Sequence, residues 1–218
     1  MRKIIVPTLI LGLALGGCAA TIQDAYFDMW DKMGVEKREI LVDRVEDAQQ
    51  TQEDAQEQFT SALDEFSSLI AFDGGELEDV YQNLNDQLEA SQESADEVSS
   101  RIDKVQSVAE SLFREWEEEL VLINNPNFKR DSKRKLSDTQ RKYNQLLTSM
   151  RKVESSMQPV LIALQDNVLY LKHNLNANAI GALQGEFSTI KKDVNQLIAE
   201  MSTAIAQSNA FIDTLNGQ

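Results

Sequence analysis

One cysteine, one histidine and three prolines in 218 residues exclude several kinds of protein before any motif is read. Cys18 has no second cysteine to pair with, so no intramolecular disulfide staples the fold and packing alone must hold it. His173 has Tyr170 three residues before it, so the Glu-x-x-His pairs that build metal sites in helical bundles are missing. The phosphate-cradling G-x-x-x-x-G-K-[ST] loop and the zinc-peptidase H-E-x-x-H helix are absent too. Ile4 to Leu15 is an apolar run of about a dozen residues, short of the roughly 20 a spanning helix needs, and no other segment comes nearer. Aromatics make up only 6%, and no β-rich segment stands out.

What is abundant is Glu, Gln, Leu, Ala and Ser, the composition of long helices. The net charge of −15 is unevenly spread. Residues 24–120 hold 28 acids against 7 bases, whereas residues 121–218 hold 8 against 12. An acidic half repels phosphate, and no basic platform interleaved with aromatics appears, so nucleic acid is not an expected partner.

Four heptad stripes organise the chain. The first runs through Leu41, Val45, Ala48, Gln52, Ala55, Phe59, Ala62, Phe66 and Leu69, and only Gln52 breaks its apolar character. After Asp73-Gly74-Gly75, where glycine permits a tight turn, the second passes through Leu77, Leu84, Ala95, Ile102, Val105, Ala109, Leu112 and Trp116. Asn124-Asn125-Pro126-Asn127 ends that helix, and Ser132 or Asp131 is the expected cap of the next. The third stripe continues from Leu136 through Tyr143, Met150, Val153, Met157, Val160 and Leu171, with Pro159 read as a kink rather than a stop. A turn at about 174–181 is expected from its asparagines and Gly181, followed by Leu183, Phe187, Ile190, Val194, Leu197, Met201, Phe211 and Leu215. A repeat near 3.5 implies left-handed packing of long helices. The expected fold is all-α, an elongated antiparallel up-down-up-down four-helix coiled-coil bundle; the alternative is a three-helix coiled coil with a very long last helix.

Met1-Arg2-Lys3, the apolar run, and Leu15-Gly16-Gly17-Cys18 resemble a bacterial lipoprotein signal with its lipobox. The resemblance implies removal of residues 1–17, acylation of Cys18, a tether over 18–25 and one helical domain over 26–218. Two or more acyl chains anchor stably where one does not. Ala19 in place of Asp after the cysteine implies the periplasmic face of the outer membrane, with the inner membrane as the alternative. Met157-Gln158-Pro159-Val160 and Leu169 to Ala177, together with the signal, resemble an uncharacterised family of Gram-negative lipoproteins known only as a domain of unknown function. That resemblance supplies no catalytic residues.

From Lys129 to Lys152 nine cations face two acids. Lys129, Arg130, Lys133, Arg134 and Lys135 are candidate contacts for anionic lipid, with Tyr26, Phe27, Trp30 and Phe128 as interfacial aromatics; the competing reading pairs the cations with Glu115 to Glu119 of the preceding helix. Those glutamates read as a solvated face, because a calcium loop also needs carbonyls and a sharp turn. The expected function is a non-enzymatic, membrane-tethered scaffolding rod of the cell envelope, without cofactor or metal. A lipid-binding or membrane-shaping protein is the alternative. Expected partners are lipid through Cys18 and unidentified envelope proteins, with a homo-oligomer left open.

Overall fold

The computed structural model describes residues 37–71, 77–174 and 177–216. Cys18, Tyr26, Phe27, Trp30, the signal, the tether and the Gly74-Gly75 turn lie outside them. Four helices carry these residues: α1 (Lys37–Ile70), α2 (Leu77–Leu122), α3 (Pro126–His173) and α4 (Ala177–Asn216). Arg38–Gln218 forms one compact unit. At about 1.5 Å per residue the two longest helices, of 46 and 48 residues, measure about 70 Å.

Cross-helix bonds fix the topology. Asp47 of α1 meets Arg101 of α2 while Gln58, further along α1, meets the earlier residues Gln87 and Ser91, so these two helices are antiparallel. Arg151 of α3 reaches back to Asp103 and Gln106 of α2. Between α3 and α4, Lys142, Ser149 and Ser156 pair in reverse order with Thr214, Gln207 and Glu200. Phe66 stacks on Phe187, ring centroids 5.9 Å apart, and closes α1 against α4. The result is the up-down-up-down four-helix bundle; the three-helix alternative fails because α4 turns back along α3.

Burial follows the heptad stripes because a 3.5-residue repeat keeps one face toward its neighbours. Every position from Leu41 to Leu69 in the first stripe is at most 1% exposed, Gln52 included. Small polar groups in the core are satisfied locally: Ser91, Thr139 and Ser208 donate to the carbonyl four residues earlier. Pro159 lies inside α3 on the exposed face, where water can solvate the carbonyl that its missing amide leaves unbonded.

Three boundaries differ from expectation. The cap of α3 is Asn125, whose side-chain oxygen accepts from the amides of Asn127 and Phe128 at 2.9 and 3.4 Å, so the helix starts about a turn and a half before Asp131 and Ser132. Pro126 sits at its first position, where a missing amide costs nothing. The break near 174 is shorter than predicted, and Gly181 lies inside α4. Asn174 closes α3, its amide bonding the Leu171 carbonyl at 3.0 Å and its side chain the Tyr170 carbonyl at 2.9 Å. The third difference is at the end of α2, where Val108, Ser111, Phe113 and Leu120 are buried while Leu112 and Trp116 are only half-buried.

Gln52 is the one polar position of the first stripe, fully buried with neither amide atom hydrogen-bonded. Each unmatched buried group costs about 1–3 kcal/mol. Gln52→Leu is therefore expected to stabilise the bundle by about 1–3 kcal/mol, read as a rise of roughly 2–4 °C in Tm per kcal/mol in thermal unfolding. An unchanged or lower Tm would contradict this.

A candidate membrane-facing end

The α2–α3 hairpin runs past the described ends of α1 and α4. In the register set by Asp47 and Arg101, the start of α1 at Lys37 lies level with about residue 111 of α2; in that set by Lys142 and Thr214, the end of α4 lies level with about residue 140 of α3. Beyond those levels the hairpin extends for about 15–20 Å. Trp116 donates its indole N–H to the Ser132 hydroxyl at 2.8 Å, and Gln140 donates to Glu117 at 3.1 Å, tying the two helices together.

At the hairpin's base Tyr143 stands edge-on to Phe113, centroids 5.3 Å apart, and tilted against Phe211 at 6.2 Å. Its hydroxyl is buried without a hydrogen bond. Burial, and then the charge of Glu110, push its pKa up to about 12, against a smaller opposing effect of Arg151. Below pH 10 both the folded and unfolded chains keep this proton; as pH rises from 10 toward 12 the unfolded chain releases it first, and stability is lost. Tyr143→Phe is expected to remove that alkaline loss and to add about 1 kcal/mol at neutral pH, measured by denaturant titration across pH.

Further along, charge pairs clamp α3 to both neighbours. Arg151 bonds Asp103 at 2.6 Å and Glu154 at 2.9 Å; burial would lower its pKa, but these carboxylates outweigh burial and raise it. Glu200 accepts from Ser156 at 2.5 Å and from Lys152 at 3.1 Å; burial pushes its pKa up, but these bonds hold it below the ordinary value. These are structural pairs. A groove of about 1010 Å³ opens between α3 and α4, but its cations are engaged, Arg141 by Asp138 at 2.8 Å and Lys142 by Thr214 at 2.9 Å. His173 is exposed at the end of α3, and among the described residues no three of His, Cys, Asp and Glu converge as a metal set.

The five predicted lipid-contacting cations all fall in the first three turns of α3, at the tip. Arg134 pairs with Asp131, and Lys135 lies 3.8 Å from the same carboxylate. Arg130 donates to the neutral side chain of Asn127 at 2.7 Å. The side chains of Lys129 and Lys133 make no hydrogen bond or ion pair with the described residues. Of the five, only Arg134 and Lys135 are thus paired with an acid, along their own helix by the three- and four-residue spacing that brings side chains together, while Glu117 is bonded by Gln140. Phe128, the one predicted aromatic within the described residues, is 68% exposed.

Two residues of this end were missed in the sequence. Val121 and Leu122 are 73% and 76% exposed, more than any other large apolar residue described. They lie off the heptad stripe immediately before a helix stop, and that was the available signal. No described helix is long and apolar enough to cross a membrane.

A family described as "Protein of unknown function (DUF2959)" matches residues 26–215. The chain belongs to this family. The match spans all four helices of the bundle and stops short of Cys18. No curated protein and no solved structure matches the chain.

Proposed function

We propose that the protein is a membrane-tethered, non-enzymatic rod of the bacterial envelope, anchored by acylated Cys18 on the periplasmic face of the outer membrane. The observation that carries this reading is a shared end: α1 begins at the end of the bundle that also bears the exposed α2–α3 tip. A chain tethered through residues 18–36 therefore enters its bundle where the apolar and basic side chains project. The opposite end, bearing the α1–α2 and α3–α4 connections, then faces away from the membrane, free for envelope proteins.

The second reading, a lipid-binding role for the basic end, is favoured by the absence of acidic partners at Lys129 and Lys133. Photocrosslinkers placed at Lys172 and at Asn124 in intact cells separate the two ends. The rod reading expects crosslinks to envelope proteins from Lys172 and few from Asn124. Equal yields from both positions, or proteins of the cytosol alone, would contradict it.

A further inference from the structure

Leu120 to Arg130 is a stretch of eleven residues without an acid, in a chain whose net charge is −15. Its helix ends expose Val121, Leu122 and Phe128 to solvent, three large apolar side chains on either side of a turn of asparagines and one proline. Scattered exposed apolar residues are ordinary, but a cluster of them around one turn beside unpaired charge marks an interaction surface. The charge identifies its occupant. Within about two turns above Phe128, Lys129, Arg130 and Lys133 have no acidic partner, whereas Arg134 and Lys135 share Asp131.

Resting on the second reading above, we propose that the α2–α3 tip inserts into an anionic phospholipid monolayer. Val121, Leu122 and Phe128 enter the boundary between headgroups and acyl chains, and Lys129, Arg130 and Lys133 bind the lipid phosphates. Arg134 and Lys135, balanced by Asp131 and about 12–14 Å along the helix from Pro126, contribute little. A surface charge loses its attraction beyond about a Debye length, roughly 8–10 Å in physiological salt. Insertion of apolar side chains does not depend on salt, so the two contributions separate experimentally. Binding is shallow, because three side chains cannot substitute for an acyl anchor.

The test is flotation of residues 19–218, which retain the whole compact bundle unit, with phosphatidylcholine vesicles lacking or containing phosphatidylglycerol. The unsubstituted chain floats with phosphatidylglycerol vesicles at low salt and keeps part of that binding at high salt. Leu122→Gln with Phe128→Gln removes the salt-resistant part and lowers partitioning by about tenfold. Lys129→Gln with Arg130→Gln lowers low-salt partitioning by about tenfold or more, since each cation is worth roughly fivefold. Arg134→Gln with Lys135→Gln changes it by less than about threefold. All three variants alter exposed side chains, and helicity by circular dichroism checks that they fold.

Any of four results overturns the inference: no flotation at low salt, unchanged flotation of the apolar variant, equal losses in the two basic variants, or a dimer in sedimentation that the apolar substitutions dissolve. The last would mean that a second copy covers the tip. The tether is read separately through Cys18→Ser. A chain held in membranes by Cys18 while its tip ignores vesicles fails this inference and keeps the tether.

Discussion

Val153→Asp and Ile102→Asp are each expected to abolish cooperative folding. Both side chains are fully buried, and the register set by Arg151 and Asp103 puts them in one layer, with Val45 and Ala204 as the other fully buried members at that level. The layer's other buried members, Val45 and Ala204, offer a carboxylate no cation or side-chain donor, and an isolated buried charge costs far more than the 2–7 kcal/mol of an unpaired neutral polar group. Domains of this kind hold only about 5–15 kcal/mol of stability. The variants should lose the helical circular-dichroism signal or melt below room temperature. Ile162→Asp is the control, since Ile162 is 55% exposed and a surface change is usually within about 0.5 kcal/mol. Equal melting of Val153→Asp and Ile162→Asp would contradict the layer.

Cys18→Ser is expected to have the largest effect on location. Cys18 is the only cysteine, so thioether acylation has no alternative site, and no described helix can replace the anchor by crossing the bilayer. A doubly or triply acylated terminus anchors stably, whereas a single chain gives an association constant of only about 10⁴ M⁻¹. Removing the thiol should abolish metabolic labelling with a fatty-acid analogue and leave either an unprocessed precursor or a protein shed from the acylated-membrane fraction. The tip alone would leave at most weak, salt-sensitive attachment. A variant that still takes up the fatty-acid label would sink the tether.

The bundle was legible because its signal is repetitive. Nine positions from Leu41 to Leu69 keep a single phase, and packing buries all nine, even the glutamine whose side chain argues against it. Local chemistry was harder to read. Asn125 wins the cap over Asp131 and Ser132 because Pro126 needs no amide partner at the first helical position, and nothing in the heptad pattern reports that. The phase changes at the end of α2, beyond the level of the first described residue of α1; the buried face rotates from Leu112 and Trp116 toward Phe113 and Leu120. An ideal helix drifts by about 20° per heptad unless a partner holds it.

The candidate membrane-facing end was half-legible. Its cations and Phe128 stood out by charge and type, but Val121 and Leu122 read as the tail of an amphipathic helix, and only the structure shows them exposed beside the turn. Which cations remain uncompensated also depended on geometry. Asp131 lies three and four residues before Arg134 and Lys135, and the structure places it on both of them rather than leaving them to Glu117, which Gln140 holds instead.

The most direct measurement of the standing rod uses the mature, acylated protein in vesicles. With Cys18 blocked by the proposed lipid, a cysteine introduced at Asn124 or at Lys172 labels alone with a fluorophore. The two positions are separated by about 70 Å of helix. With an energy acceptor on the lipid headgroups, a donor at 124 should be strongly quenched and a donor at 172 nearly unquenched. Quenching at 172 equal to or greater than that at 124 would contradict a rod that stands on its α2–α3 end.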